Sequence, residues 1–247
     1  MSGRLIVEIG IDEAGRGPFI GDMVIAGVAA PRSVFEELSR IGLKDSKAIS
    51  PSRRRMLLQE IVSRGVDIAA VYVAPHLVDS SNMNRLEYTV MCSLLELLSY
   101  SHMLKSSNSL VKIYVDEVKG YGRLLEECAV RVYGGIEVHV EPDADAKYPA
   151  VSAASIVAKV FRDNGIRALK LIAGEIGSGY PSDPTSRRWL TTAYTSMPEP
   201  PVYVRRSWGL LRELAPGWYT VKHAKHSRTR SLLDYTGVSQ HGDKSTG

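Results

Sequence analysis

The order of strand-like and helix-like segments constrains this chain more than any other feature. Residues 5–11 and 23–30 are apolar and rich in β-branched side chains, and between them lies Asp12-Glu13-Ala14-Gly15-Arg16-Gly17-Pro18, a turn-rich connection. Two strands joined in this way read as an antiparallel pair. Helical patterns cover 31–41 and 51–64, the second with Ser50 as N-cap, Pro51 at the first helical position and Gly65 as its stop. A third strand follows at 66–73, then a long helix at 84–104 with Leu, Met and Val at helical spacing. Strand 111–115 ends in Asp116, and helix 122–132, strand 136–140 and helix 150–173 complete the series. Three successive strands followed by alternating helices and strands imply an α/β fold, a mixed sheet with helices packed on its faces.

After Gly174 the pattern changes to short helical segments rich in Gly, Pro, Ser and aromatic residues. The expected organisation is an α/β domain over 1–173, a small C-terminal helical subdomain over 174–221 and a basic tail over 222–247. At 44% hydrophobic, the chain of 247 residues has enough apolar side chains for a core. No apolar run approaches the roughly 20 residues of a membrane helix, and the N-terminus lacks signal-peptide organisation, so the expectation is a soluble cytoplasmic protein with no membrane partner. Cys92 and Cys128 sit in apolar, helix-like surroundings and read as two buried free thiols. The net charge of +4 leans towards a polyanionic partner. Arg205, Arg206, Lys222, Lys225, Arg228 and Arg230 crowd the last fifth of the chain, a distribution that a solvated basic tail would also produce.

Acidic residues stand at the exits of the strands: Asp12 and Glu13 after the first, Asp116 after the fourth, Asp143 and Asp145 after the fifth. Carboxylates gathered at neighbouring strand ends repel one another and stay charged only beside a cation. Oxygen ligands in that number suit Mg²⁺ or Mn²⁺. Two such ions about 4 Å apart can activate a water and stabilise the leaving oxygen of a phosphodiester. Adjacent residues of a regular strand face opposite ways, so Asp12 and Glu13 are expected to share a site only if the strand loses its regularity there. Asp143 and Asp145, two residues apart, could both serve as the last acid.

Five motifs carry a resemblance, in order, to a known family. Gly10-Ile11-Asp12-Glu13-Ala14-Gly15-Arg16-Gly17-Pro18 resembles the opening signature of the type 2 ribonucleases H (ribonuclease HII), and Asp45-Ser46-Lys47 its next motif. Ile113-Tyr114-Val115-Asp116 resembles its third-acid strand. Tyr148-Pro149-Ala150-Val151-Ser152-Ala153-Ala154-Ser155, with Arg162-Asp163, resembles the helix after its fourth acid. Gly177-Ser178-Gly179-Tyr180-Pro181 resembles the archaeal-type form of its late tyrosine motif.

The resemblance implies a ribonuclease H-like fold and a two-metal site of Asp12, Glu13, Asp116 and Asp145. It implies hydrolysis of RNA in RNA/DNA hybrids and incision 5′ of ribonucleotides embedded in duplex DNA. Asp145 takes the fourth place by its spacing to Tyr148-Pro149. The family usually carries a basic residue two positions earlier, where this chain has Asp143. Gly15, Arg16 and Gly17 match the turn whose backbone reads the ribose 2′-hydroxyl, the group that separates RNA from DNA. Tyr180 matches the tyrosine that packs on the neighbouring deoxyribose, and Lys47, with Ser46, would contact phosphate. The family also implies a monomer.

Some archaeal members end in a motif that docks on a sliding clamp. Leu232 and Tyr235 have its spacing, while Thr229 and Thr236 replace its glutamine and second aromatic. The alternative is that Leu232 and Tyr235 pack back on the catalytic domain. A dinucleotide-binding reading fails, because Ile20 stands where the third glycine belongs and a strand follows instead of a helix. His223 and His226 have metal-like spacing without flanking ligands and read as part of the basic tail.

Overall fold

The computed structural model describes residues 4–43, 49–105 and 109–222. Five strands form one mixed sheet: β1 (Leu5–Ala14), β2 (Met23–Pro31), β3 (Asp67–Val73), β4 (Ser109–Asp116) and β5 (Glu137–Glu141), in the order β3-β2-β1-β4-β5. The first three pair antiparallel, and β4 and β5 add in parallel on the other side of β1. A short turn links β1 to β2, two helices lie between β2 and β3, and helical crossovers lead to β4 and β5, the mixed sheet that the order of elements predicts.

Period-2 alternation sends side chains to two cores. Val24, Ala26, Val28 and Ala30 of β2 face one layer, built by α1 (Arg32–Arg40), α2 (Pro51–Ser63) and the long α7 (Pro149–Ala173). Ile9 and Ile11 of β1 and Met23, Ile25 and Ala29 of β2 face the other, built by α4 (Met83–Leu98) and α5 (Gly122–Tyr133), with α3 (Pro75–Ser80) at its edge. The α7 helix approaches β1 so closely that a Cβ on Gly10 would lie 2.1 Å from the Ala150 carbonyl carbon. Glycine at this strand position therefore sets where α7 begins, and Ala150, Ser152, Ala153 and Ala154 keep its buried face small.

After α7 come α8 (Pro184–Ser196) and α9 (Gly209–Leu214). They gather a third cluster containing Ile176, Leu190, Leu211 and Trp218, which also takes in Phe19 and Ile20 from the β1–β2 connection and Ile166 from α7.

Three expectations need correction. The helix expected over 84–104 stops at Leu98 and resumes as a 3₁₀ turn, His102–Lys105. Serine hydroxyls that bond locally compete with helix propagation. Ser99 Oγ turns back to the Glu96 carbonyl at 2.7 Å, and Ser101 Oγ binds Asp67. Cys92 and Cys128 are joined in a disulfide with Cα atoms 6.1 Å apart. They belong to α4 and α5, which pack on the same sheet face, so two thiols aimed at one core meet. Arg205, grouped in sequence with a solvated basic stretch, is fully buried. Among the described residues no helix is long and apolar enough to cross a membrane.

Candidate active site

Strand register assembles the acids. The parallel ladder between β1 and β4 ends with Ile11 opposite Val115, so Asp12 and Asp116 come next, side by side on the α7 face. Glu13 is directed to the α4 face. Carboxylate oxygens of Asp12, Glu13 and Asp116 nevertheless lie within 4.8 Å of one another. The expected break in the strand does not occur: β1 stays in register with β2 through Asp12–Ala26, Glu13–Ile25 and Ala14–Val24. All three carboxylates stand where the β1–β4 ladder ends, after the Ile11–Val115 pair. The Glu13 amide donates to Asp12 Oδ1 at 2.8 Å and fixes that carboxylate.

Asp116 accepts a 2.9 Å bond from the amide of Ala144, the first residue of α6 (Ala144–Lys147). Asp143 heads that turn in the left-handed conformation, at φ 55°, and is exposed; Asp145 is buried, with 7% of its surface accessible. The two acids after β5 thus part company, and only Asp145 turns inward. It lies one residue beyond the Ala144–Asp116 bond and outside the group of three that share the 4.8 Å radius.

Electrostatics mark the cluster as poised for a cation. Burial, then the charge of Glu13, pushes Asp12 well above the usual carboxylate range. Burial, with Glu87 and Asp116, raises Glu13 to about 7. Acids so placed are neutralised by protons or by a metal ion.

The Gly15-Arg16-Gly17 turn adjoins the acids. Gly15 has φ +94°, and a Cβ there would meet Arg162 Cδ at 2.8 Å, so both conformation and space call for glycine. The turn's carbonyls are anchored from the C-terminal segments. Arg205 Nη1 donates to the Arg16 carbonyl at 3.2 Å, and Trp208 Nε1 to that of Gly17 at 2.7 Å. Tyr180 lies against Gly17, where a Cβ would be 3.3 Å from its ring. The Arg162 guanidinium covers the same ring at 4.9 Å, while 38% of Tyr180 stays exposed. Ser46 and Lys47 lie outside the described residues.

Sequence reasoning missed Glu87, which is fully buried on α4 and ion-paired with Arg16. Burial, with Asp12 and Asp116 adding to it and Arg16 opposing it, raises Glu87 to about 7. A signal existed: Glu87 occupies the same helical stripe as Val90, Met91 and Leu94, a charge on an apolar face. Arg162, in the motif after the fourth acid, donates from Nη2 to the Ser178 carbonyl at 2.9 Å, beside the tyrosine.

A mixed sheet in the order β3-β2-β1-β4-β5, with Asp12, Glu13 and Asp116 converging at its strand ends, places the chain among nucleases of the ribonuclease H-like fold. The family model for ribonuclease HII matches residues 9–211, and the chain belongs to that family. It is 42% identical over 238 residues to the ribonuclease HII of Hyperthermus butylicus, covering 94% of this chain and 95% of that one. Among solved structures it resembles ribonuclease H2 from Pyrococcus horikoshii, with TM-score 0.73 and 36% identity over 86% of this chain and 98% of that one. It also resembles the ribonuclease HII of Archaeoglobus fulgidus, solved in complex with PCNA, with TM-score 0.69 and 35% identity over 81% and 93% of the two chains.

Proposed function

We propose that this protein is a divalent-metal-dependent endoribonuclease that hydrolyses the RNA strand of RNA/DNA hybrids. It also cuts 5′ of ribonucleotides embedded in duplex DNA, leaving 3′-hydroxyl and 5′-phosphate ends. The observation that carries this reading is the convergence of Asp12, Glu13 and Asp116 oxygens within 4.8 Å, with Asp12 buried and Glu13 and Asp116 half-buried. An all-oxygen, mutually repelling donor set fits Mg²⁺ or Mn²⁺. Asp12, Glu13 and Asp116 would hold the ions, with Asp145 as the fourth ligand. Bound there, a pair of such ions supplies Lewis-acid chemistry to the attacking water and the leaving oxygen.

The chain's own groups supply position and selectivity. The Glu13 and Ala144 amides orient the Asp12 and Asp116 carboxylates. The Gly15-Arg16-Gly17 backbone, pinned by Arg205 and Trp208, presents a rigid turn to the ribose 2′-hydroxyl. Tyr180, one face covered by Arg162, offers its exposed part to the adjoining deoxyribose. Ser46 and Lys47 contact the phosphate backbone. Residues 174–221 serve as the substrate-binding subdomain beside the catalytic domain of 1–173, and the protein acts in the cytoplasm.

The test is cleavage of an RNA/DNA duplex in Mg²⁺ by the wild-type protein and by Asp116→Asn. Wild-type cleavage and collapse in the variant support the reading; equal rates remove Asp116 from the site.

A clamp partner is a second part of the reading, favoured by the likeness to the ribonuclease HII of A. fulgidus solved with PCNA. Leu232 and Tyr235 lie outside the described residues. Titrating the clamp of the source organism with the full chain and with a chain ending at Ala224 decides between docking and packing on the domain. Equal binding by both chains, or none by the full chain, rejects the tail as the clamp ligand.

A further inference from the structure

Glu87 is an expensive residue where it stands. It is a carboxylate with no exposed surface, set close enough to Asp12, Glu13 and Asp116 for their charges to oppose one another. One of its oxygens, Oε1, is buried without a hydrogen-bond partner, and the other is ion-paired with Arg16 Nη1. One turn earlier on α4, Asn84 Oδ1 accepts from Arg16 Nη2 at 2.8 Å. The Asn84 amide nitrogen donates in turn to the Lys119 carbonyl at 3.0 Å, which keeps its oxygen facing Arg16. Two groups on one helix thus grip both ends of a single guanidinium.

Packing alone does not call for a carboxylate at position 87, since replacing a buried ion pair by hydrophobic residues of like volume is often neutral or stabilising. The reason for the pair lies with Arg16. It follows Asp12 and Glu13 by only four and three positions, and its charge already acts on Glu13. A guanidinium released from α4 would have Glu13, on which its charge already acts, as an alternative partner beside Asp12 and Asp116, and it binds carboxylates in fork geometry. Seated among them, a fixed monocation would offset the negative charge that attracts a divalent ion.

We propose that Glu87, assisted by Asn84, is a positioning residue that holds the Arg16 guanidinium away from the three acids and so keeps their charge available to metal. This rests on the reading of Asp12, Glu13 and Asp116 as metal ligands. The pair has a second effect: by fixing the Arg16 side chain, α4 complements the hold that Arg205 has on the Arg16 carbonyl.

The test is calorimetric titration of the full chain with Mn²⁺ in the absence of substrate, for the wild type, Glu87→Ala, Glu87→Gln, Asn84→Ala and Arg16→Ala/Glu87→Ala. Glu87→Ala is expected to weaken Mn²⁺ binding by about tenfold, the scale of lost outer-shell partners at metal sites. Removing Arg16 as well should restore it. Glu87→Gln still offers Arg16 an acceptor and should stay nearer the wild type than Glu87→Ala. Asn84→Ala changes no charge and should weaken binding in the same direction by a smaller factor. Wild-type affinity in both Glu87→Ala and Asn84→Ala, or failure of the double variant to recover, would overturn the proposal. If Glu87→Ala does not fold, Asn84→Ala decides alone, and an unchanged affinity there overturns it. Absence of Mn²⁺ binding by the wild type would reject the metal reading itself, and this inference with it, whereas wild-type binding with unresponsive variants rejects the inference alone.

Discussion

The Trp208 indole donates a 2.7 Å hydrogen bond to the carbonyl of Gly17, a residue 191 positions earlier in the chain. The bond ties the region after α8 to the turn beside the acids, so the shape of that turn depends on residues remote in sequence. Trp208→Phe keeps the aromatic body and removes the donor. Losing one such bond costs about 1 kcal/mol, so a fall of about fivefold in kcat/KM is expected on DNA carrying one ribonucleotide, chiefly through KM. An unchanged KM would show that the turn holds its shape without this anchor.

Tyr180 stands at the other side of the same turn. Tyr180→Ala should retain the fold, because the ring is partly exposed and outside the three core clusters. Aromatic contacts in nucleic-acid grooves are worth about 1–3 kcal/mol, and a sugar contact belongs at the lower end. Activity on a single embedded ribonucleotide should fall by about five- to tenfold, with the melting temperature nearly unchanged. Full activity in this variant would take Tyr180 out of substrate recognition.

The raised carboxylates make stability depend on pH in a definite direction. Glu13 is raised to about 7 when folded, chiefly by burial, against about 4.3 in an unfolded chain. The metal-free fold therefore binds more protons than the unfolded chain between those values. This contribution is fully present below pH 4.3 and is lost as pH rises through 7. Chelator-treated protein should lose melting temperature from pH 5 to pH 8, and Glu13→Gln should flatten the slope. Mn²⁺ should raise the melting temperature more at pH 8 than at pH 5. Parallel pH profiles for the wild type and Glu13→Gln, both metal-free, would show that Glu13 is not the titrating group.

The Cys92–Cys128 disulfide closes a separation of 36 residues between α4 and α5. Cross-links over loops of this size contribute about 2–4 kcal/mol, largely by restricting the unfolded chain. Cys92→Ser/Cys128→Ser should therefore unfold at lower denaturant concentration, and thiol titration of the denatured wild type without reductant should find no free thiol. Two titratable thiols would contradict the cross-link.

The sheet was legible in the chain because its strands carry period-2 or continuous apolar patterns and the β1–β2 connection carries turn chemistry. Asp12 and Asp116 were legible for a related reason, since acids at strand exits meet when the strands are neighbours. The meeting of Asp12 and Glu13 was not, because alternation along a strand that stays regular sends neighbouring side chains to opposite faces. Glu87 and Arg205 escaped because burial of a charge is decided by partners distant in sequence: Arg16 for the one, the Arg16 and Gly21 carbonyls for the other. The disulfide escaped because cysteine spacing says nothing about which helices share a sheet face.

The most direct test of the central claim is end-group analysis of the products from duplex DNA containing one ribonucleotide, cut in Mg²⁺. The account predicts a single incision on the 5′ side of the ribonucleotide, with a 3′-hydroxyl on one fragment and a 5′-phosphate on the other, and loss of that incision in Asp116→Asn. A 2′,3′-cyclic phosphate product, or cutting that persists in chelator, would contradict it.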